Sequence, residues 1–377
     1  MLPLLVACDP GTVEIEIPDY DAKSDGYVIR PVEVSTLHDV GRLEGRATRL
    51  VGGADLTLNY VDGNLTWNDG GHPVAFSAVR ADDVLVPEDF DSLAMAATYA
   101  NVERSMLFYE WDLGLPVEDV LIDFETYYWP ALETIETDEE KLDITDNAYY
   151  MRISDNERAF FVFPFEDFQW LPMAMNGGIL THEYTHAVFD ALVHDPSATT
   201  PLSASAANFL YGLDEGCADW MAVARTGDPD YMEHSIRPGI FGIECNGSMV
   251  YEIVRDASDH LHYQQSWDHA ARHVEPEAFC PYDIGAFFAS LMYAVAERTD
   301  GGAAEEGAAP SRQARIRVSR WLLGALEDLG AEMRPDFELW DLIGLFVSKI
   351  DGSGDREKAC LVIEERYEMY SHMVQGC

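Results

Sequence analysis

Two histidines and a glutamate stand at positions 182 to 186 with the spacing His-Glu-x-x-His, as His182, Glu183 and His186. Residues four positions apart share one face of a helix, so both imidazoles would point at the same place. Histidine nitrogens bind zinc, and a catalytic zinc site takes three protein ligands and leaves a fourth position open. Glu183 would lie beside that place, where it can take a proton from a water activated by the metal. The pattern therefore predicts a hydrolytic metal centre.

A second pair of acidic residues, Glu215 and Asp219, has the same four-residue spacing further along the chain. We expect Glu215 to complete the ligand set of a single Zn²⁺ ion. Asp219, one turn later, can accept the second N–H of a ligating histidine, which fixes the tautomer of the ring and raises its basicity. The alternative is a core helix with two hydrogen-bonded histidines. Carboxylates on an apolar helix need partners, and this requirement favours the metal site.

These motifs resemble those of the gluzincin zinc metallopeptidases, the thermolysin-like clan, and within it most closely the fungalysin-like branch. In that branch the second helix typically reads G-x-x-E-G-x-x-D, which matches residues 212–219. The segment from Tyr282 to Tyr293 is similar to the fungalysin helix H-x-x-G-x-x-W-A-x-x-L. The resemblance covers about residues 89–377 and implies a zinc endopeptidase that acts on proteins or peptides.

The chain departs from these families at one position. Where they have a histidine that hydrogen-bonds the tetrahedral oxyanion, this chain has Tyr282. A phenol can also donate a hydrogen bond to an oxyanion, so we predict Glu183 and Tyr282 as the catalytic residues. A second interpretation stays open, in which the protein is a catalytically weak or inactive zinc-binding envelope lipoprotein that acts as a binding module.

The elements that must position these residues follow from hydrophobic periodicity. Apolar residues at helical spacing predict a mostly buried helix over residues 178–193, which carries the zinc motif. The same reasoning predicts further helices at residues 89–113, 284–297, 311–329, 337–347 and 356–373, and strands at residues 120–124, 149–153 and 159–163.

The predicted fold class is α+β. The resemblance implies a two-lobed metallopeptidase with a β-rich N-terminal lobe, a helical C-terminal lobe and the zinc helix between them. A small antiparallel β module is expected before it, because alternating apolar segments are separated by Gly-Gly and Asp-Gly turns. We therefore predict a tether at residues 1–25, the β module at 26–85 and the catalytic domain at 86–377. Whether the module is a pro-region or a spacer stays open.

The composition is strongly acidic. Of 377 residues, 68 are Asp or Glu and 24 are Lys or Arg, which gives a formal net charge of −44. So negative a surface repels nucleic acid and anionic lipid headgroups, so neither is expected as a partner. A salt-adapted source and an ordinary acidic exported protein both fit this charge. We expect a monomer.

The cysteines and the first residues predict an exported protein. Leu-Val-Ala-Cys ends at Cys8 and resembles a truncated bacterial lipoprotein signal, whose cysteine would be acylated and tether the chain to a membrane. The expected location is the cell envelope or the extracellular space. In such an oxidising compartment Cys245 could pair with Cys280, and Cys360 with Cys377.

Overall fold

The computed structural model shows a mixed α and β protein. It describes residues 11–59, 64–117, 124–137, 140–144, 147–153, 158–163, 171–194, 201–236, 243–245, 248–250, 256–271, 279–300 and 309–377. The chain forms two compact units, one of residues 1–107 and 122–180 and the other of residues 108–121 and 181–377. Among the described helices, none combines the length and the apolar character needed to cross a membrane.

The first unit contains most of the strands. They are β1 (Val13–Asp21), β2 (Gly26–Val34), β3 (Leu37–Asp39), β4 (Glu44–Gly45), β5 (Arg49–Gly52), β6 (Asp55–Asn59), β7 (Asn64–Asp69), β8 (His72–Pro73), β9 (Ala78–Ala81), β10 (Val84–Pro87), β11 (Glu125–Tyr128), β12 (Ala131–Thr137), β13 (Glu140–Ile144), β14 (Ala148–Arg152) and β15 (Arg158–Val162). Over the described residues they form sheets with the orders β2-β1-β10-β9, β14-β15-β11-β5-β4-β3 with β8 also on β5, and β13-β12-β6-β7.

The expectation of a separate antiparallel module at residues 26–85 is wrong. Strand β5 pairs in parallel with β11, and β6 pairs in parallel with β12, so strands from this segment are interior to sheets whose other strands come from residues 125–162. Alternation along one strand shows which face is buried but does not identify the partner strand. Leu56 and Leu58 consequently share a core with Tyr127 and Phe161.

The expectation of an extended tether up to residue 25 is also wrong over most of its length. Residues 13–21 form strand β1, which pairs with β2 along all nine of its residues and in parallel with β10. Ile15 and Ile17 alternate with glutamates, and both isoleucines are fully buried. This alternation is typical of a half-buried strand. Cys8 lies outside the described residues, so acylation there stays a prediction.

The helices at residues 90–107, 177–193, 281–299, 312–332, 339–349 and 353–367 lie where the periodicity predicts them, whereas the helix at residues 263–270 was not predicted. The described helices are α1 (Phe90–Leu107), α2 (Gly177–Val193), α3 (Ala204–Thr226), α4 (Tyr263–Ala270), α5 (Pro281–Thr299), α6 (Arg312–Glu332), α7 (Leu339–Lys349) and α8 (Ser353–Tyr367). A π-helical turn at Phe108–Leu113 follows α1, and a 3₁₀ segment at Glu368–Met373 follows α8. A short hairpin of β16 (Ile243–Cys245) and β17 (Ser248–Val250) lies between α3 and α4. The strand predicted at residues 120–124 falls almost wholly outside the described residues.

One predicted disulfide is present. Cys360 and Cys377 are bonded with their Cα atoms 5.4 Å apart, which attaches the C-terminus to α8. Cys280 is also disulfide-bonded. The side chain of Cys245 lies outside the described part of the chain, so the pairing of Cys245 with Cys280 stays a prediction.

Candidate metal centre

Helix α2 carries the His-Glu-x-x-His motif, and its start is fixed by a buried asparagine. Asn176 Oδ1 accepts hydrogen bonds from the backbone N–H groups of Gly178 at 2.9 Å and Ile179 at 3.3 Å. The hydroxyl of Tyr27, on β2, donates to the same oxygen at 2.8 Å. These bonds satisfy N–H groups that a helix start otherwise leaves unpaired. Residues 26–85 therefore contribute directly to the cap of the motif helix.

Close packing of α3 against α5 sets the position of Glu215. Gly212 and Gly216 flank Glu215 on α3 and face Gly285 on α5. A Cβ atom at Gly216 would lie 2.6 Å from the carbonyl oxygen of Gly285, and one at Gly212 would lie 2.7 Å from that of Pro281. Only glycine permits backbones to approach so closely. The two glycines of the sequence motif Gly-x-x-Glu-Gly are therefore required by the close packing of α3 against α5.

The two imidazoles and the Glu215 carboxylate converge. The Nε2 atoms of His182 and His186 are 3.0 Å apart. Glu215 Oε2 is 3.4 Å from His182 Nε2, and Glu215 Oε1 is 3.9 Å from His186 Nε2. Ligand atoms of a tetrahedral zinc ion with bonds of 2.0–2.1 Å lie about 3.3 Å apart. The residues present fit such an ion.

A carboxylate holds the other nitrogen of each imidazole. Asp219 Oδ1 lies 3.0 Å from His182 Nδ1, and Asp214 Oδ1 lies 2.8 Å from His186 Nδ1. The buried Tyr231 hydroxyl donates to Asp219 at 2.7 Å and also lies 3.0 Å from His182 Nδ1. Asp214 and Tyr231 were not predicted from the sequence. Asp214 precedes Glu215 directly, a position that could have suggested its role, whereas nothing in the local pattern marks Tyr231.

These hydrogen bonds determine whether the Nε2 atoms of His182 and His186, which face each other, carry a proton or a lone pair. Because an ionised carboxylate only accepts, each neutral imidazole carries its proton on Nδ1 and presents an Nε2 lone pair. Two lone pairs 3.0 Å apart beside a carboxylate repel one another unless a proton on one Nε2 or a metal cation lies between them. Burial disfavours a charged ring, but Asp214, with help from Glu215 and Glu183, raises the pKa of His186 to about 10. The same negative charges attract a divalent cation, and binding of that cation would release the second ring proton of His186.

Glu183 lies beside this group. Within the described part of the chain, His182, Glu183 and His186 each offer a ligand atom within 4.8 Å of the others. The Glu183 side chain is buried, at 8% exposure. A carboxylate so placed can exchange protons with a small molecule held at the imidazoles.

Tyr282 is the second residue of α5 and pairs with a tyrosine on α3. The hydroxyl oxygens of Tyr211 and Tyr282 are 2.6 Å apart, within hydrogen-bond distance. Tyr211 lies one turn before Glu215, is 44% exposed, and was not predicted from the sequence. The role of Tyr282 toward an oxyanion stays a prediction.

No protein-family model and no curated protein matches the sequence. Among solved structures, the fold is similar to the precursor of protealysin, a metalloproteinase from Serratia proteamaculans. The two share 10% sequence identity with a TM-score of 0.46, over 86% of this chain and 88% of that chain.

Proposed function

We propose that the protein is a zinc-dependent endopeptidase that hydrolyses peptide bonds with Glu183 as the general base. One observation carries the proposal: the Nε2 atoms of His182 and His186 and the Glu215 carboxylate converge within 3.9 Å of one another. With both imidazoles neutral, these three groups face one point as acceptors without a donor, an arrangement that a purely structural pair of helices does not need. This donor set of two imidazoles and one carboxylate is typical of catalytic zinc.

The mechanism follows from what the side chains can do. Zinc, when bound, would polarise the scissile carbonyl and lower the pKa of a water molecule. Glu183 would accept a proton from the attacking water molecule and pass it to the leaving amine. Asp214 and Asp219 keep the imidazoles in the ligating tautomer and orientation. Tyr282 donates a hydrogen bond to the oxyanion that develops on the substrate.

Removal of the metal tests the proposal directly. The purified chain is expected to contain about one zinc per molecule and to cleave casein. A chelator should abolish cleavage, and added zinc should restore it, because the convergent ligands cannot activate water by themselves. Elemental analysis and a casein assay on the same samples measure both quantities. Cleavage that a chelator leaves unchanged would overturn the proposal, and a zinc-loaded protein that cleaves no peptide of a library would favour the binding-module interpretation.

The tyrosine pair gives a second test. Tyr282→Phe removes the proposed oxyanion donor and is expected to lower kcat about a hundredfold with little change in KM. Tyr211→Phe removes only the partner that orients Tyr282, so a smaller loss, about tenfold, is expected. Steady-state kinetics on a peptide substrate measures both.

Tyr20→Phe serves as the matched control for the tyrosine variants. Its hydroxyl bonds to Asp25 on an exposed part of the first unit, so its kinetics should equal those of the parent. If Tyr282→Phe also behaves like the parent, the oxyanion donor lies elsewhere.

A further inference from the structure

A cavity of about 700 Å³ lies within the second unit, between helices α5 and α8 and the segment that precedes α4. Its volume is in the range of pockets that take small ligands. It is lined by residues that do not include the proposed metal ligands, and its walls hold three cationic side chains, those of Arg298, Lys358 and Arg366. The whole chain has only 24 basic residues against 68 acidic ones. Three cations in one cavity are therefore an unusual concentration of positive charge for so acidic a chain.

Two of these cations have no carboxylate partner. Arg366 is buried, at 7% exposure. Its Nη1 donates to the carbonyl of Leu261 at 3.4 Å and its Nη2 donates to His260 Nδ1, both neutral acceptors. Across the described residues, neither Arg366 nor Lys358 forms an ion pair with a carboxylate, and Lys358 forms no side-chain hydrogen bond. The charge of a buried guanidinium is costly unless an anion compensates it.

The two carboxylates on the same wall compensate this charge only in part, because Glu297 interacts electrostatically with Arg366 but forms no ion pair with it among the described residues. Glu365 pairs with Arg298 at 3.6 Å. Burial raises the pKa of Glu297, although His260, Arg366 and Arg298 act in the opposite direction. The positive groups that remain available to a ligand are the Lys358 ammonium and the Arg366 guanidinium.

His260 adds a hydrogen-bond donor to this wall. A guanidinium can only donate, so the ring nitrogen facing Arg366 must accept. The neutral imidazole consequently carries its proton on Nε2. In the described part of the chain, the cavity wall thus combines an imidazole N–H with two cations that form no ion pair with a carboxylate.

We propose that this cavity binds a small oxyanion, a carboxylate or phosphate group, between Lys358 and Arg366. Charge-assisted hydrogen bonds to ammonium and guanidinium groups are the strong form of oxyanion recognition. At physiological ionic strength, repulsion from the distant acidic surface is screened beyond about 8 Å, so the adjacent cations dominate at the site.

Calorimetric titration of the full chain with inorganic phosphate, and separately with acetate, tests this site at constant ionic strength. Binding of at least one of the two is expected, and comparison of their affinities identifies which oxyanion is preferred. Lys358→Gln should weaken binding about tenfold, since it removes one charge-assisted hydrogen bond. Lys358→Glu, which reverses the charge, should abolish it.

Lys349→Gln is the matched control, because the Lys349 ammonium is already paired with Asp328 at 2.6 Å and should not affect the titration. A chelator should not affect it either, which separates this site from the metal centre. Absence of binding by both anions would overturn the proposal. Equal affinity in the parent and in Lys358→Gln would also overturn it.

Discussion

Replacement of Glu183 with glutamine is expected to leave zinc binding intact and to slow casein cleavage by a factor on the order of 10³. The amide has almost the same shape as the carboxylate but cannot accept a proton at neutral pH. The two histidines and Glu215, which converge within 3.9 Å, stay in place. Elemental analysis and initial rates on the same preparation measure the two effects separately.

The metal content of this variant distinguishes two roles for Glu183. If Glu183 is the base, Glu183→Gln keeps its zinc and loses its rate. If Glu183 is instead a ligand, which its distance of at most 4.8 Å from the imidazoles would permit, zinc and rate are lost together. Glu327→Gln, on the exposed face of α6, is the control and should match the parent. A variant at position 183 that cleaves casein like the parent would contradict the proposed mechanism.

The helices were predictable because their pattern is local. The helix that carries the His-Glu-x-x-His motif was expected at residues 178–193 and is found at Gly177–Val193, since a period of 3.6 residues over four turns leaves few alternatives. Sheet pairing is not local. Strands β5 and β11 are parallel partners separated by more than 70 residues, and the sequence of neither strand identifies the other as its partner. Residues 13–21 were predicted as part of a tether, although their sequence does indicate a strand, because Ile15 and Ile17 alternate with acidic residues.

The placement of the candidate metal ligands was partly predictable for a related reason. Helix geometry alone places His182 beside His186, and Glu215 one turn from Asp219. Contacts between segments that are distant in the chain could not be predicted from the sequence. Tyr231 reaches His182 from the turn after α3, and the cavity cations Arg298 and Arg366 come from different helices. Such groupings depend on tertiary packing and have no periodicity to reveal them.

The second large effect is expected from Gly285, which contacts no proposed ligand atom. A Cβ at this position would lie 2.8 Å from the carbonyl oxygen of Gly212, 3.0 Å from the backbone nitrogen of Gly216 and 3.1 Å from Glu215 Cβ. The first two are backbone atoms, which cannot rotate away, so α3 and α5 must separate. Glu215 would move with α3. Gly285→Ala should therefore lower the free energy of unfolding by about 1–3 kcal/mol.

Because Glu215 supplies one of three converging ligands, the same variant should weaken zinc binding at least about tenfold. Denaturant unfolding in the presence of a chelator isolates the packing effect, and zinc titration of the folded protein measures the ligand effect. Gly324→Ala is the control: its Cβ would meet only the flexible side chain of Lys349, at 3.4 Å. Within a helix, the change from glycine to alanine should raise the free energy of unfolding by about 0.5–1 kcal/mol and leave the zinc affinity unchanged. If Gly285→Ala kept both its stability and its zinc affinity, then the contact between α3 and α5 does not position Glu215, and the link from the glycine motif to the metal centre would be lost.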